Sequence, residues 1–308
     1  VLLHPVRVRK IVLNFDLSIH PMFSFLSSKI SVLPLLYMKL FTAPAFIDNW
    51  KYFGAWSNEF IGTLLMIFFT FTPGKWIGEK SIAVAWTTHA IGVIAADKIG
   101  GGPHVNPMVS VTMWSLGKCS YTECLVRIAG AMLGGIVAFP LALQVSNTFG
   151  LTPLGGPEFS VKDDGSLASG MYNEFFASFF LLLAIFALNW ELNFGKYHYW
   201  IKQTLTAIVI RYLIQVFSVT GPAMNPMLGS TWALFTSGKG FPDDFAHFFV
   251  YWNASVYGGL MAAACYVVYA GGTLFGQKLP FGPIKGAGGV SQATATTETK
   301  KKKVTKKE

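Results

Sequence analysis

Two five-residue stretches, HVNPM at His104–Met108 and AMNPM at Ala223–Met227, carry the same Asn-Pro-Met triplet. Its chemistry is hydrogen bonding rather than bond-making, because an Asn amide offers two N–H donors and a carbonyl acceptor. Proline directly after Asn suits the first turn of a helix, where its missing N–H removes nothing, and the Asn can cap that turn. Each triplet therefore reads as the start of a helix whose partial positive end lies beside an amide. A second pair of residues recurs with them. Glu59 stands in SNEFIGTLLMIFF and Glu174 in YNEFFASFFLLLAIF, 115 residues apart (174 − 59), while the two Asn are 119 apart (225 − 106). Landmarks in one order at nearly one interval indicate an internal duplication.

The elements that position these residues are membrane spans. Of 308 residues, 52% are apolar and only 13% charged, a balance of a membrane protein rather than a soluble domain. Six stretches approach the roughly 20 apolar residues that a bilayer-crossing helix needs. They run over about Ala55–Thr72, Ser81–Ala96, Thr122–Val145, Met171–Trp190, Tyr199–Ser218 and Phe245–Gly271. The apolar runs after the triplets, Met108–Leu116 and Met227–Phe235, are too short to cross and read as half-spans. Three crossings per half is an odd number, so the second half enters from the opposite face and the repeats are inverted. The expected fold is an all-α membrane protein of six transmembrane helices plus two inward half-helices, in inverted three-helix repeats. Inversion brings Asn106 and Asn225 together near the midplane. Irregular backbone at that depth must be covered by protein or line a wet cavity, which implies a pore. GAMLGG at Gly130–Gly135 and YGG at Tyr257–Gly259 fall at similar places in the two halves and permit close helix packing.

Six spans, a Glu in the first and fourth, and two Asn-Pro motifs on inverted half-helices resemble the aquaporin (major intrinsic protein) family over roughly 55–272. GGPHVNP is similar to the Gly-x-His-x-Asn-Pro loop of ordinary aquaporins. GPAMNPM, HFFVYWNASVYGGLMAA and the lysine-rich end look like the small basic intrinsic proteins, a divergent branch associated with the endoplasmic reticulum. The resemblance implies a passive channel for water and small uncharged solutes such as glycerol or hydrogen peroxide, not an enzyme, with no cofactor, in homotetramers. It implies a pore motif of Asn106, Pro107, Met108, Asn225, Pro226 and Met227, with protons and ions excluded there. It also implies a filter at Trp86, Leu213, Pro222 and Leu228, and interior Glu59 and Glu174 accepting hydrogen bonds from loop backbone. Ordinary aquaporins have Ala where Met108 and Met227 stand, and Arg where Leu228 stands. An apolar filter would select by width and dewetting more than by charge.

Several residues keep two readings. Met108 and Met227 either pack the half-helices, as flexible thioethers do, or narrow the channel. Arg211 lies two residues, about 200°, from Leu213 and so faces away from it; it pairs or snorkels, or it is functional. Glu59 and Glu174 are scaffold groups or a proton relay. His89 approaches the pore or satisfies a carbonyl, and His104 reads as a loop brace. Cys119, Cys124 and Cys265 have no metal-type spacing, so no metal site is expected. No nucleophile–base pair or nucleotide loop points to catalysis.

The ends differ in composition from the core. Residues 1–54 contain Arg7, Arg9, Lys10, Lys29 and Lys39 against a single acid before residue 48, Asp16, and read as a targeting segment, a cytosolic arm or a surface-lying segment. Residues 273–308 form a basic tail with six lysines in the last nine positions; they account for most of the net charge of +9, which therefore implies anionic lipid rather than nucleic acid. Between them lies the channel domain, 55–272, with repeats at about 55–145 and 171–272. An even span count with lysines at both ends places both termini in the cytosol. An internal membrane, the endoplasmic reticulum first, is favoured over plastid or plasma membrane. The competing functional class is a non-conducting scaffold with this fold, closed by Met108, Met227 and Trp86.

Overall fold

The computed structural model describes residues 52–71, 81–151, 155–237 and 245–285. The expected N-terminal segment lies outside the described residues up to Lys51, as do the terminal lysines. Nine α-helices are described: α1 Phe53–Phe71, α2 Ile82–Gly100, α3 Pro107–Ser115, α4 Tyr121–Phe149, α5 Leu167–Phe186, α6 His198–Val216, α7 Pro226–Ser237, α8 Phe245–Phe248 and α9 Ser255–Ala270. A π-helical turn, Ala187–Glu191, prolongs α5, and another, Phe249–Ala254, joins α8 to α9 without a break. The chain is an all-α membrane protein with six spanning helical segments and two half-helices.

Capping chemistry explains where several helices begin and end. Ser120 Oγ accepts the Glu123 N–H at 3.1 Å and starts α4, and Ser166 Oγ accepts the Ser169 N–H at 3.1 Å. That cap carries α5 one turn beyond the expected Met171. Gly101 and Gly150 close α2 and α4 in the left-handed region, with φ of 76° and 62°. Three segments, Ile82–Gly100, Tyr121–Phe149 and Leu167–Glu191, are long and apolar enough to cross a membrane by composition alone. The others carry polar interior residues, Asn58 and Glu59 in α1 and Lys202, Gln203 and Arg211 in α6, whose burial must be compensated inside the bundle.

The packing follows a two-fold pattern. Helix α1 packs against α4 and α2, and α5 packs against α9 and α6; between halves, α4 meets α7, α9 meets α3, and α2 meets α6. Asp97 near the end of α2 accepts a hydrogen bond from Tyr199 OH at the start of α6 (2.7 Å), so these two helices run antiparallel. The apolar core divides likewise. One large cluster gathers Ile67, Phe139, Met227, Leu228 and Trp232, a second Met108, Leu181, Leu182, Leu213 and Met224, and a smaller third holds Phe159, Val250 and Tyr251.

Paired glycines let the helices approach. A Cβ on Gly134 would lie 2.6 Å from the Phe60 carbonyl oxygen, and one on Gly258 would run into that of Phe175. Their neighbours serve the half-helices. Gly135 on α4 leaves room for the Met227 Sδ and Thr231 Oγ1, at 2.5 and 2.7 Å from an added Cβ; Gly259 on α9 does so for Met108 Sδ and Thr112 Oγ1, at 2.8 and 2.6 Å. Each half therefore holds the other's half-helix in a notch.

After α9 the chain turns back onto the bundle instead of leaving it. Phe275 N–H donates to the Ser115 carbonyl at 2.6 Å, Ile284 N–H to that of Val268 at 3.0 Å, and Lys285 Nζ pairs with Glu191. The first thirteen residues of the expected tail are thus part of the fold.

The notch makes a thermodynamic prediction. Gly259→Ala should cost about 1–3 kcal/mol by overpacking, and Met108→Ala about 2–5 kcal/mol by leaving a cavity. The double variant should lose clearly less than the sum, measured as unfolding free energies in detergent. Additivity within about 0.5 kcal/mol would mean that the two residues do not meet.

Candidate functional site

The two triplets meet through crossed hydrogen bonds. Asn106 Nδ2 donates to the Met224 carbonyl at 2.7 Å, and Asn225 Nδ2 donates to the Val105 carbonyl at 2.9 Å. The opposite edge of each amide caps its own half-helix: Asn106 Oδ1 accepts the Met108 N–H and Asn225 Oδ1 the Met227 N–H, both at 3.0 Å. Pro107 and Pro226 occupy the first helical positions, where no N–H is needed. One N–H of each amide is spent on the opposite loop, and the second has no partner among the described residues. Both half-helices start at this contact, so their partial positive ends face each other.

The residue before each Asn is held in a strained conformation. Val105 and Met224 have φ of 50° and 49°, a left-handed region that non-glycine side chains rarely enter. Each of these residues has both backbone groups engaged. The Val105 N–H donates to Glu59 Oε2 at 2.7 Å, and the Met224 N–H donates to Glu174 Oε1; their carbonyls accept from the crossed Asn amides. Glu59 Oε1 also accepts the His104 N–H at 2.7 Å and Arg127 Nη1 at 2.8 Å. Glu174 accepts from the hydroxyls of Ser255 (2.9 Å) and Thr220 (3.3 Å) instead. Both carboxylates are fully buried, and a donor set of this kind holds a loop rather than passing protons along it. His104 Nδ1 lies 2.9 Å from Ser110 Oγ, which ties the loop to the half-helix α3 that follows it.

Met108 and Met227 are completely buried in the glycine notches, on the core side of their half-helices. The four filter positions are not drawn into one side-chain cluster. Trp86 lines an apolar groove of about 760 Å³ between α2 and α6, with Ile82, Ala90, Ile94, Thr204 and Ile208. Leu213 packs in the Met108 cluster and Leu228 in the Met227 cluster, while Pro222 is buried in the loop before Asn225. The physical reason is helix rotation: α6 turns Leu213 towards α3 and α5, and α2 turns Trp86 towards the outer groove. The cysteines are all free, and no metal-type group of three or more ligands occurs among the described residues.

Comparison with known proteins agrees with this architecture. Residues 47–266 match the major intrinsic protein family. The chain belongs to that family. A glycerol uptake facilitator-like protein of Lactiplantibacillus plantarum is 26% identical over 67% of this chain and 94% of its own length. The aquaglycerol porin AQY3 of Saccharomyces cerevisiae is 25% identical over 68% of this chain, though only 36% of that longer protein is covered. Probable aquaporin PIP2-5 of Arabidopsis thaliana is 23% identical over 70% of this chain and 81% of its own length. The crystal structure of the Plasmodium falciparum aquaglyceroporin has the same fold, with a TM-score of 0.59, 22% identity, and 70% of this chain against 95% of that one covered.

Some supports of the site are absent from the sequence reading. Arg127, a charged residue inside a span, carries its own warning sign, because such residues are rare unless paired. Ser255, Thr220 and Tyr251 carry none. The Tyr251 hydroxyl bonds the Thr220 carbonyl, a contact between residues distant in sequence. Arg127 also pairs with Glu123 one turn away at 2.8 Å, which fixes its side chain along α4.

The two carboxylates should respond differently to the isosteric amide. In Glu174→Gln the new NH₂ can turn to the Thr220 hydroxyl, which can accept, so the cost should stay below about 1.5 kcal/mol. In Glu59→Gln it must face either the Val105 N–H or the pair of His104 N–H and Arg127, which only donate. A loss of about 2–4 kcal/mol is expected there, read as a larger drop in thermal midpoint in detergent for Glu59→Gln.

Proposed function

We propose that this chain is a passive transmembrane channel for water and other small uncharged solutes, glycerol and hydrogen peroxide among them. The observation that carries the reading is the crossed pair of Asn amides. Each keeps one N–H without a partner among the described residues, beside the positive end of a half-helix, so a water oxygen at the junction would meet donors from both halves. A water held so cannot relay a donor chain through the centre, which opposes proton passage, and the paired positive ends oppose cations. On this reading Asn106 and Asn225 contact the solute, while Pro107, Pro226, Met108 and Met227 fix the half-helices. Glu59, Glu174 and His104 hold the loops. The burial of Met108 and Met227 against Gly259 and Gly135 supports a packing role for them over that of plugs, which weighs against a closed scaffold.

Pro222 and Leu228 give the approach to Asn225 no charge of its own. We further propose assembly as a homotetramer and residence in an internal membrane with both ends cytosolic, on the family likeness and the lysine distribution. Cross-linking in native membranes and glycosylation-site tagging of each end test these.

Stopped-flow light scattering on proteoliposomes is the direct test of conduction. Osmotic shrinkage at least several-fold faster than in empty vesicles, with no accompanying proton leak, is expected, and a glycerol gradient then defines the size limit. A protein that is helical by circular dichroism yet leaves water flux at the empty-vesicle level would overturn the channel reading.

A further inference from the structure

The apolar groove of about 760 Å³ between α2 and α6 has a shape and a length. Its lining on α2, Ile82, Trp86, Ala90 and Ile94, recurs every fourth residue and forms one lengthwise stripe about 18 Å long. Ala90 and Thr204 are small where Trp86, Ile94 and Ile208 are bulky, so the surface is concave rather than flat. No charged residue lines it. Its length is comparable to the roughly 15 Å of hydrocarbon in one leaflet, half of a core about 30 Å thick.

One cation stands near its end. Arg211 follows Ile208 by three residues and Thr204 by seven, so the three share one face of α6. Asp97 accepts the Tyr199 hydroxyl across the antiparallel pair, which sets Arg211 level with Ala85 and next to the level of Trp86. The guanidinium makes no hydrogen bond or ion pair with any described residue, and its Nε is buried without an acceptor. The Trp86 indole N–H likewise donates to no described residue. Arg211 lies five residues, about 7.5 Å, from the end of α6 at Val216, near enough for its side chain to snorkel to the membrane surface. An apolar strip about as long as one leaflet therefore begins beside two unsatisfied donors, one of them charged. A cation inside a span is rare without a partner.

We propose that the groove between α2 and α6 is a binding site for a membrane phospholipid, with the phosphate on Arg211 and one acyl chain along Trp86, Ala90 and Ile94. A guanidinium presents a planar fork of donors that matches phosphate in a bidentate manner, and the Trp86 indole suits the boundary between headgroup and chain. The lone cation calls for an anion and the apolar strip for hydrocarbon; a phospholipid supplies both in one molecule at that depth. The site does not use the Asn106–Asn225 junction and does not depend on conduction.

Native mass spectrometry of the full chain, delipidated in detergent and titrated with dioleoylphosphatidylglycerol, tests this. One such lipid per chain should bind at least tenfold more tightly than dioleoylglycerol, which has the chains without the phosphate. Glycerol phosphate, which has the phosphate without the chains, should not compete. Arg211→Gln and the groove-filling Ala90→Trp should each weaken binding at least tenfold, whereas Lys98→Gln, at an exposed lysine four residues beyond Ile94, should change it less than twofold. Equal affinity of the wild type for the phospholipid and for dioleoylglycerol would overturn the phosphate contact without recourse to any variant. Equal effects of Arg211→Gln and Lys98→Gln would reduce the binding to general surface charge and overturn the site. Undiminished lipid binding by Ale90Trp protein is likewise fatal to it, and an altered subunit number by light scattering in that variant would assign the groove to a second copy of the chain instead.

Discussion

Backbone that leaves helical geometry in the middle of a membrane must find every hydrogen bond inside the protein, since lipid supplies none. Here that requirement falls on two residues. Val105 and Met224 each offer an N–H to a buried carboxylate and a C=O to the opposite Asn amide. A left-handed conformation costs such a residue about 1–3 kcal/mol, and the four bonds offset that cost jointly. Remove the carboxylate and the N–H is orphaned; remove the opposite Asn and the carbonyl is. Neither half-helix can be seated without the other half, which makes the junction cooperative.

Packing obeys the same reciprocity. The third residue of each triplet, a long thioether, would collide with any side chain on the facing span, and a glycine stands there in both halves. Met108 with Gly259 and Met227 with Gly135 are therefore one solution used twice, with the volume moved from the span to the half-helix. Thr112 and Thr231 occupy matching places one turn further on, so the notch holds two side chains of each half-helix. Hydrogen bonds fix the ends of the half-helices at the centre, and the notches fix their sides.

Much of this was legible in the residue order, for physical reasons that can be named. Length, apolarity and proline position located the helices to within a few residues, because crossing a bilayer leaves little freedom in span length. The recurrence of Glu and Asn-Pro-Met exposed the duplication, and the odd crossing count exposed the inversion. Helix rotation was less accessible. α2 and α6 are apolar over much of their circumference, so periodicity does not distinguish a face towards a solute from one towards lipid, and Trp86 and Leu213 took up surroundings that offsets alone do not foretell. Partners far apart in sequence, such as Tyr251 with Thr220 or Arg127 with Glu59, needed the folded chain. The fold-back at Phe275 and Lys285 was hidden by its composition, since glycine, proline and lysine also mark solvated tails.

The halves share a frame and differ in charge. Gly134 and Gly135 correspond to Gly258 and Gly259, an offset of 124 residues, so Arg127 corresponds to Tyr251. In the first half the buried carboxylate faces a guanidinium; in the second it faces the hydroxyls of Ser255 and Thr220, with Tyr251 bound to the Thr220 carbonyl. A guanidinium donates in a fixed fork, whereas a hydroxyl can rotate between donating and accepting. The first loop is consequently held by rigid, charge-assisted contacts and the second by adaptable ones. Any difference in mobility between the two sides of the Asn106–Asn225 junction has its origin in that exchange of an arginine for a tyrosine, while the crossed amides keep the centre itself symmetric.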